Sequence, residues 1–172
     1  MHDVAPTARE ELSCRLEADH AAYFGWALAC CAGRREEAEE ALQTAYLKVL
    51  DGRAVFSGRS SFRTWMLGVI RWSAVEVRRR TRWRRWIGLD RLDARDAGDA
   101  ARPDLQAVRN ERTAAVRRAL ARLSSRQREV LHLVFYHGLS IEAAAEVLGV
   151  AAGTARTHYQ RGKAALRKRL ME

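Results

Sequence analysis

The stretch "GVAAGTARTHYQRGKAALRKRL", residues 149–170, carries six basic side chains and no acidic one. Its order says more than its charge. The segment before it, "SIEAAAEVLG" (140–149), has Ser140 where a helix N-cap belongs and Gly149 where a helix stops. "GVAAG" then forms a short turn, and a second helical segment begins with Thr154 near its N-cap. Helix, short Gly-containing turn, helix is the pattern of the DNA-binding helix-turn-helix, whose second helix enters the major groove. Ala145 is small enough to let the two helices cross closely, and Val150 fills the angle between them.

Along the second helix Ala155, Tyr159, Gly162, Leu166 and Leu170 recur at intervals of four, three, four and four, which predicts a buried seam. Thr154, Arg156, Thr157, His158, Gln160, Arg161 and Lys163 fall on the other faces. These are residue types that read DNA: Arg bridges guanine O6 and N7, Gln pairs with adenine, and Thr or His reaches a base edge or phosphate. The helix N-terminus offers free N–H groups to a phosphate. The last basic group, "RKR" (167–169), suits either phosphate contact or solvation.

Upstream, "ERTAAVRRALARL" predicts a helix with Val116, Leu120 and Leu123 on one face. "SSRQREVLHLVFYHG" predicts another, capped by Ser124 or Ser125 and ended by Gly138. With the helix-turn-helix pair these give a C-terminal four-helix domain over residues 111–172. Before it, residues 87–110 lose all periodicity: "IGLDRLDARDAGDAARPDLQAV" (87–108) holds five Asp, two Gly and a Pro, and reads as a polar linker with a short helix at its end.

The N-terminal part, residues 1–86, is also helical by composition and period, so the chain reads as all-α with two small domains. One helix is expected over about 10–31, with Leu12, Leu16, Tyr23, Phe24 and Leu28 at helical spacing. "REEAEEALQTAYLKVLDG" (35–52) is a second, acidic in its first turns, stopped by Asp-Gly, with Leu42, Tyr46, Val49 and Leu50 on its apolar face. A long helix follows "FSGRSS", capped by Ser60 or Ser61, with Trp65, Val69 and Trp72 on its stripe. The aromatics Phe56, Phe62, Trp65, Trp72, Trp83 and Trp86 stand among many arginines, the pairing that stacks on unpaired bases and neutralises their backbone. Core packing for Trp65 and solvation for the arginines are the plainer alternatives.

Net charge is +10, with 31 basic and 21 acidic residues, which favours a polyanionic partner. The longest uncharged run, "AAYFGWALACCAG" (21–33), is 13 residues, short of the roughly 20 a membrane-spanning helix needs. The N-terminus has no basic stretch followed by an apolar run, so a secretory signal is not expected and a cytoplasmic location is. Cys14, Cys30 and Cys31 have no CxxC spacing, and structural burial is preferred over a metal site with His20. No P-loop or nucleophile motif is present, and no cofactor or enzymatic activity is expected.

Three segments in order, "EAEEALQTAYLKVL" (37–50), "FSGRSSFRTWMLGVIRWSAVEVRRR" (56–80) and "LARLSSRQREVLHLVFYHGLSIEAAAEVLGVAAGTARTHYQRGKAALRKRL" (120–170), resemble bacterial RNA polymerase sigma factors of the extracytoplasmic-function (ECF) group. The resemblance implies two domains: region 2 (1–86), which binds core RNA polymerase and opens the −10 element, and region 4 (111–172), which reads the −35 element as duplex. It implies core-polymerase docking by Glu37, Glu39, Glu40, Gln43, Tyr46 and Leu47, and a −10-opening segment at Phe56, Gly58, Ser60, Phe62 and Trp65; together with the aromatic–arginine pattern, single-stranded −10 contacts are expected of Phe56, Ser60, Ser61, Phe62, Arg63, Arg71, Trp72, Arg78 and Arg79. The −35 reader falls on Gly153 to Lys163. An anti-sigma factor is a further expected partner. The chain departs from the family pattern at Trp72 (commonly Asn), Glu76 (commonly Asp), Ala155 and Tyr159 (commonly Val and Leu) and Gly162 (commonly Ala), which makes Tyr159 a further candidate for reaching DNA. The alternative is a stand-alone dimeric helix-turn-helix regulator.

Overall fold

The computed structural model describes residues 8–86, 115–116 and 118–171, and all regular structure among them is helical. The chain divides into two compact units between Trp83 and Arg84. The linker expected over 87–110 lies outside the described residues, as does the start of the helix expected from 111.

The N-terminal unit holds α1 (Ala8–Ala18), α2 (His20–Cys30), α3 (Arg35–Leu50) and α4 (Phe62–Trp86). The single helix expected over 10–31 is interrupted at Asp19, which leaves helical geometry at φ −105° and ψ 9°. Its carbonyl accepts the Tyr23 N–H at 2.9 Å and starts α2. Asp favours such boundary positions because its short side chain competes with helical hydrogen bonding. Tyr23, Trp26 and Ala27 of α2 are fully buried, together with Ala38, Ala41 and Ala45 of α3. The alanines keep the inward face of α3 thin, so α2 packs closely on it. The Trp26 indole N–H donates to the Leu67 carbonyl at 2.9 Å, a buried hydrogen bond that ties α2 to α4.

On α4 the buried stripe is not the expected one. Met66, Leu67, Ile70, Ala74 and Val77 point inward, Trp65 and Val69 are half-buried, and Trp72 is 62% exposed. Between α3 and α4, Lys48 pairs with Glu76 at 2.7 Å and Glu40 with Arg80 at 2.8 Å.

In the C-terminal unit residues 118–121 are helical. Ala119 and Leu123 are buried there, whereas Val116, expected on the buried face, is exposed. α5 (Ser125–Phe135) opens with a capping box: Ser124 accepts the Gln127 N–H, and the Gln127 side chain accepts the Ser124 N–H. α6 (Ile141–Leu148) is capped by Ser140, whose hydroxyl accepts the Ala143 N–H at 3.1 Å. It ends at Gly149 in the left-handed region, φ 60° and ψ 43°. The Gly149 N–H donates to Glu146 and the Val150 N–H to Ala145, the paired bonds of a Schellman stop. Arg126 of α5 also donates to the Leu148 carbonyl at 3.3 Å.

α7 (Ala152–Met171) begins two residues before Thr154, which sits in the first turn and not at the cap. Ala155 and Gly162 are buried as expected, with Tyr159 and Leu166 half-buried. Leu170 is 46% exposed, against expectation. A helix of 20 residues spans about 30 Å, while the 11-residue α5 beneath it spans about 16 Å, so the last turns of α7 overrun their support.

Gly162 sits where α7 meets α5. A Cβ there would stand 3.1 Å from both Gln127 Cβ and Leu131 Cδ1, and 3.4 Å from the Gln127 carbonyl oxygen. Gly162→Val is therefore expected to destabilise the C-terminal unit by about 1–3 kcal/mol through overpacking. Urea unfolding followed by amide exchange in α5 and α7 measures it; unchanged protection would show that the two helices part at no cost.

His132 on α5 titrates near 4 because burial penalises its imidazolium. The folded value lies below the unfolded value of about 6.5. The stabilisation is therefore complete above pH 6.5 and is lost as pH falls towards 4, up to roughly 3 kcal/mol. Melting at pH 7 and pH 5 should show this loss for the C-terminal unit, and His132→Gln should flatten it.

Candidate nucleic-acid interfaces and a docking cleft

The polar face of α7 is built by what lies behind it. With Ala155 and Gly162 turned inward, Thr154, Arg156, Thr157, Gln160, Arg161 and Lys163 are exposed and His158 is half-buried. The Thr157 hydroxyl donates back to the Gly153 carbonyl at 3.0 Å, so its donor is spent within the helix and its oxygen remains an acceptor. Arg156 Nη2 donates to Glu142 Oε1 at 3.0 Å, bridging α7 to α6. Tyr159 stacks on Phe135, centroids 5.9 Å apart and planes 28° from parallel, with the Lys163 ammonium 5.9 Å from its ring.

In the N-terminal unit, Ser61 rather than Ser60 caps α4: the Thr64 N–H donates to its hydroxyl oxygen at 3.0 Å, and the two hydroxyls lie 2.8 Å apart. Ser60 donates to the Ser61 carbonyl. Next to this cap Phe56, Phe62 and Trp65 form a cluster with centroids 5.4–5.6 Å apart. Phe56 forms its exposed rim. Phe62 is buried under it, with the Arg15 guanidinium 4.0 Å from its ring on the other side.

The nine residues expected at the opened strand thus separate. Phe56, Ser61, Arg63, Trp72 and Arg79 are exposed and Ser60 is half-buried. Arg63 lies 3.7 Å from Asp19. Arg71 is only 3% exposed, because position 71 lies on the same arc of α4 as Leu67 and Ala74. A guanidinium so enclosed has no open face for phosphate. Phe62 is likewise a packing residue, and Arg78 is half-buried, donating to the Cys30 carbonyl at 3.0 Å.

A third feature is a cleft of about 380 Å³ between α2 and α3, lined by His20, Phe24, Arg35, Glu39, Leu42, Gln43, Tyr46 and Leu47. Glu39, Gln43, Tyr46 and Leu47 of the six expected docking residues meet there. The other two do not. Glu37 is buried and paired with Arg34 at 2.6 Å, and Glu40 faces α4 and Arg80. Tyr46 shares a hydrogen bond with His20 Nδ1 at 3.1 Å, and burial, with Asp19 nearby, pushes its hydroxyl up to about 12. It is a neutral, polar-edged wall. His20, Phe24 and Arg35 were not anticipated; the spacing of His20 and Phe24, one turn apart on α2, is the signal that places them on one face. Glu142 was missed because its partner lies 14 residues away.

Among the described residues no group of three or more His, Cys, Asp or Glu could hold a metal ion. Cys30 and Cys31 are buried, and burial pushes the Cys31 thiol up to about 12; Cys14, expected to be buried with them, is exposed. No helix among the described residues is long and apolar enough to cross a membrane.

Two family models match: sigma-70 region 2 over residues 17–84 and sigma-70 region 4 over 113–166. The chain is 33% identical over 139 residues to the ECF RNA polymerase sigma factor SigX of Bacillus subtilis, covering 79% of this chain and 72% of that protein. It is 32% identical over 133 residues to the ECF RNA polymerase sigma factor SigC of Mycobacterium tuberculosis, covering 75% and 68%. Among solved structures, the sigma factor RpoE of Bartonella quintana, crystallised with the anti-sigma factor NepR, shares the fold with a TM-score of 0.74 at 21% identity, over 94% of this chain and 97% of that one. The α2–α3 pair and capped α4 fall in the first matched region and the helix-turn-helix in the second, and the chain belongs to the ECF RNA polymerase sigma factors, promoter-recognising initiation factors that are not enzymes.

Proposed function

We propose that the two units divide promoter recognition between them, region 2 over residues 1–86 and region 4 over 111–172, joined by a linker over 87–110. In region 4, α7 reads the −35 duplex through Thr154, Arg156, Thr157, His158, Gln160, Arg161 and Lys163. The observation that carries this reading is the arrangement of α7 itself: its inward face is Ala and Gly, and its polar residues are turned to solvent. In region 2, Phe56, Ser60, Ser61, Arg63, Trp72 and Arg79 hold the opened −10 strand. Phe62 and the Ser61 cap fix the loop that presents Phe56. Extruding a base costs a few kcal/mol of stacking, which an aromatic rim beside cationic side chains offsets.

The α2–α3 cleft takes the core polymerase. Its floor of Phe24, Leu42 and Leu47 suits apolar side chains of a partner helix, and Glu39 on its edge suits a basic one. RpoE of Bartonella quintana is known in complex with the anti-sigma factor NepR, and CnrH in complex with the cytosolic domain of CnrY. An anti-sigma factor for this chain follows by analogy. The protein then works in the cytoplasm, where polymerase and promoter DNA are.

Two substitutions separate the roles. Leu47→Asp, on an exposed position of the cleft, should abolish co-purification with core polymerase while leaving the fold intact. Arg161→Ala should leave core binding unchanged, weaken holoenzyme binding to promoter duplex, and flatten the dependence of log affinity on log salt by about one unit. Run-off transcription and binding across a salt series measure both. Retained core binding by Leu47→Asp would move the docking surface elsewhere on the unit.

A further inference from the structure

Arg156, a cation of the α7 reading face, is held by an acidic side chain of another helix. Its Nη2 donates to Glu142 Oε1 at 3.0 Å, and the two side chains are 61% and 60% exposed. Glu142 lies in the first turn of α6 and Arg156 in the second turn of α7, so the bridge spans the two helices of the helix-turn-helix. Its backbone amide, the Ser140 hydroxyl and Arg156 hold the Glu142 carboxyl below the usual carboxylate range.

An exposed pair of this kind contributes little to stability, so fold maintenance does not account for it. Its effect on an arginine that meets DNA is larger. A long flexible guanidinium approaching a duplex has two competing acceptors, the phosphate oxygens and the O6/N7 edge of guanine, and only the second carries sequence information. A carboxylate beside the guanidinium repels phosphate and fixes the plane of the fork. One of the five N–H donors goes to Glu142, which leaves enough for a bidentate contact with a base.

We infer that Glu142 is a positioning residue: it aims Arg156 at a base edge, away from the phosphate backbone, and thereby sets the preference at one position of the −35 element. This rests on the reading of α7 as the −35 helix.

The test uses the full chain bound to core RNA polymerase and a pool of promoter duplexes randomised through the −35 element, compared for wild type, Glu142→Gln, Arg156→Ala and the double variant. Wild type should enrich a motif containing a guanine that Arg156→Ala flattens. Glu142→Gln should weaken the preference at that same position by about 3- to 10-fold, keep the others, and bind scrambled duplex as well as wild type or better. In the Arg156→Ala background it should add nothing at that position. Unchanged melting of Glu142→Gln separates aiming from folding. The inference is overturned if Glu142→Gln leaves the motif intact, lowers every position equally, or acts without Arg156. A wild-type holoenzyme that enriches no −35 motif overturns the α7 reading and Glu142's role with it, and that result is distinct because it appears before any substitution is made.

Discussion

The aim of α7 depends on its having almost no side chain on its inward face. Ala155 and Gly162 let the helix axis come down onto α5 until a single added methyl at 162 would press on Gln127 and Leu131. Gly149, in a left-handed conformation that side chains oppose, sets the angle at which α7 leaves α6. With the helix held so closely from behind, the rest of its circumference is available for polar groups. The departures from the family pattern compensate one another here. Positions 155 and 162 are smaller than usual and 159 is larger, and the Tyr159 ring reaches past the seam to stack on Phe135. The departure is thus absorbed at the edge of the packing, where the phenol ring is engaged by Phe135.

The N-terminal unit uses a related economy. Alanines thin α3, aliphatic residues of α4 are buried, and one buried indole hydrogen bond holds α2 to α4. Packing this close brings charged side chains together at the helix edges, where they pair. Lys48, Glu76, Arg80 and Glu40 form a chain between α3 and α4. Arg71 is drawn inside and Arg78 is committed to a carbonyl. The arginine-rich run of α4 therefore offers nucleic acid fewer cations than its composition suggests, with Arg79, Arg82 and Arg84 still exposed.

This difference marks where the sequence is readable. Caps and stops are local, so Ser140, Gly149 and the Ser124 box follow from residue type and spacing. The seam of α7 is legible at Ala155 and Gly162 because helical period alone decides it, and fails at Leu170 because the length of α5 beneath it is not written in α7. On α4 two stripes compete, one aromatic and one aliphatic. Which one turns inward is decided by other segments, such as α2, whose Trp26 bonds to the Leu67 carbonyl. The cleft was half legible: Glu39, Gln43, Tyr46 and Leu47 share a face of α3, but Phe24 and His20 join them only because α2 packs alongside. The period of α3 also separates Glu37 from that face, whereas Glu40 lies one turn from Gln43 and is drawn away by Arg80 of α4.

Charge in this protein acts by being constrained. A net charge of +10 provides attraction to DNA at range, but a polyanion draws every cation alike, and attraction of that kind carries no sequence information. Selectivity requires that some cations be prevented from taking the nearest phosphate. The structure contains two ways of doing so: enclosure, as with Arg71, which removes a cation from the surface, and pairing across a hinge of secondary structure, as with Arg156 and Glu142, which leaves it exposed but directed. The second preserves the charge for association while restricting its geometry. An acidic residue within a basic recognition surface thus lowers the total attraction slightly and raises the information carried by what remains.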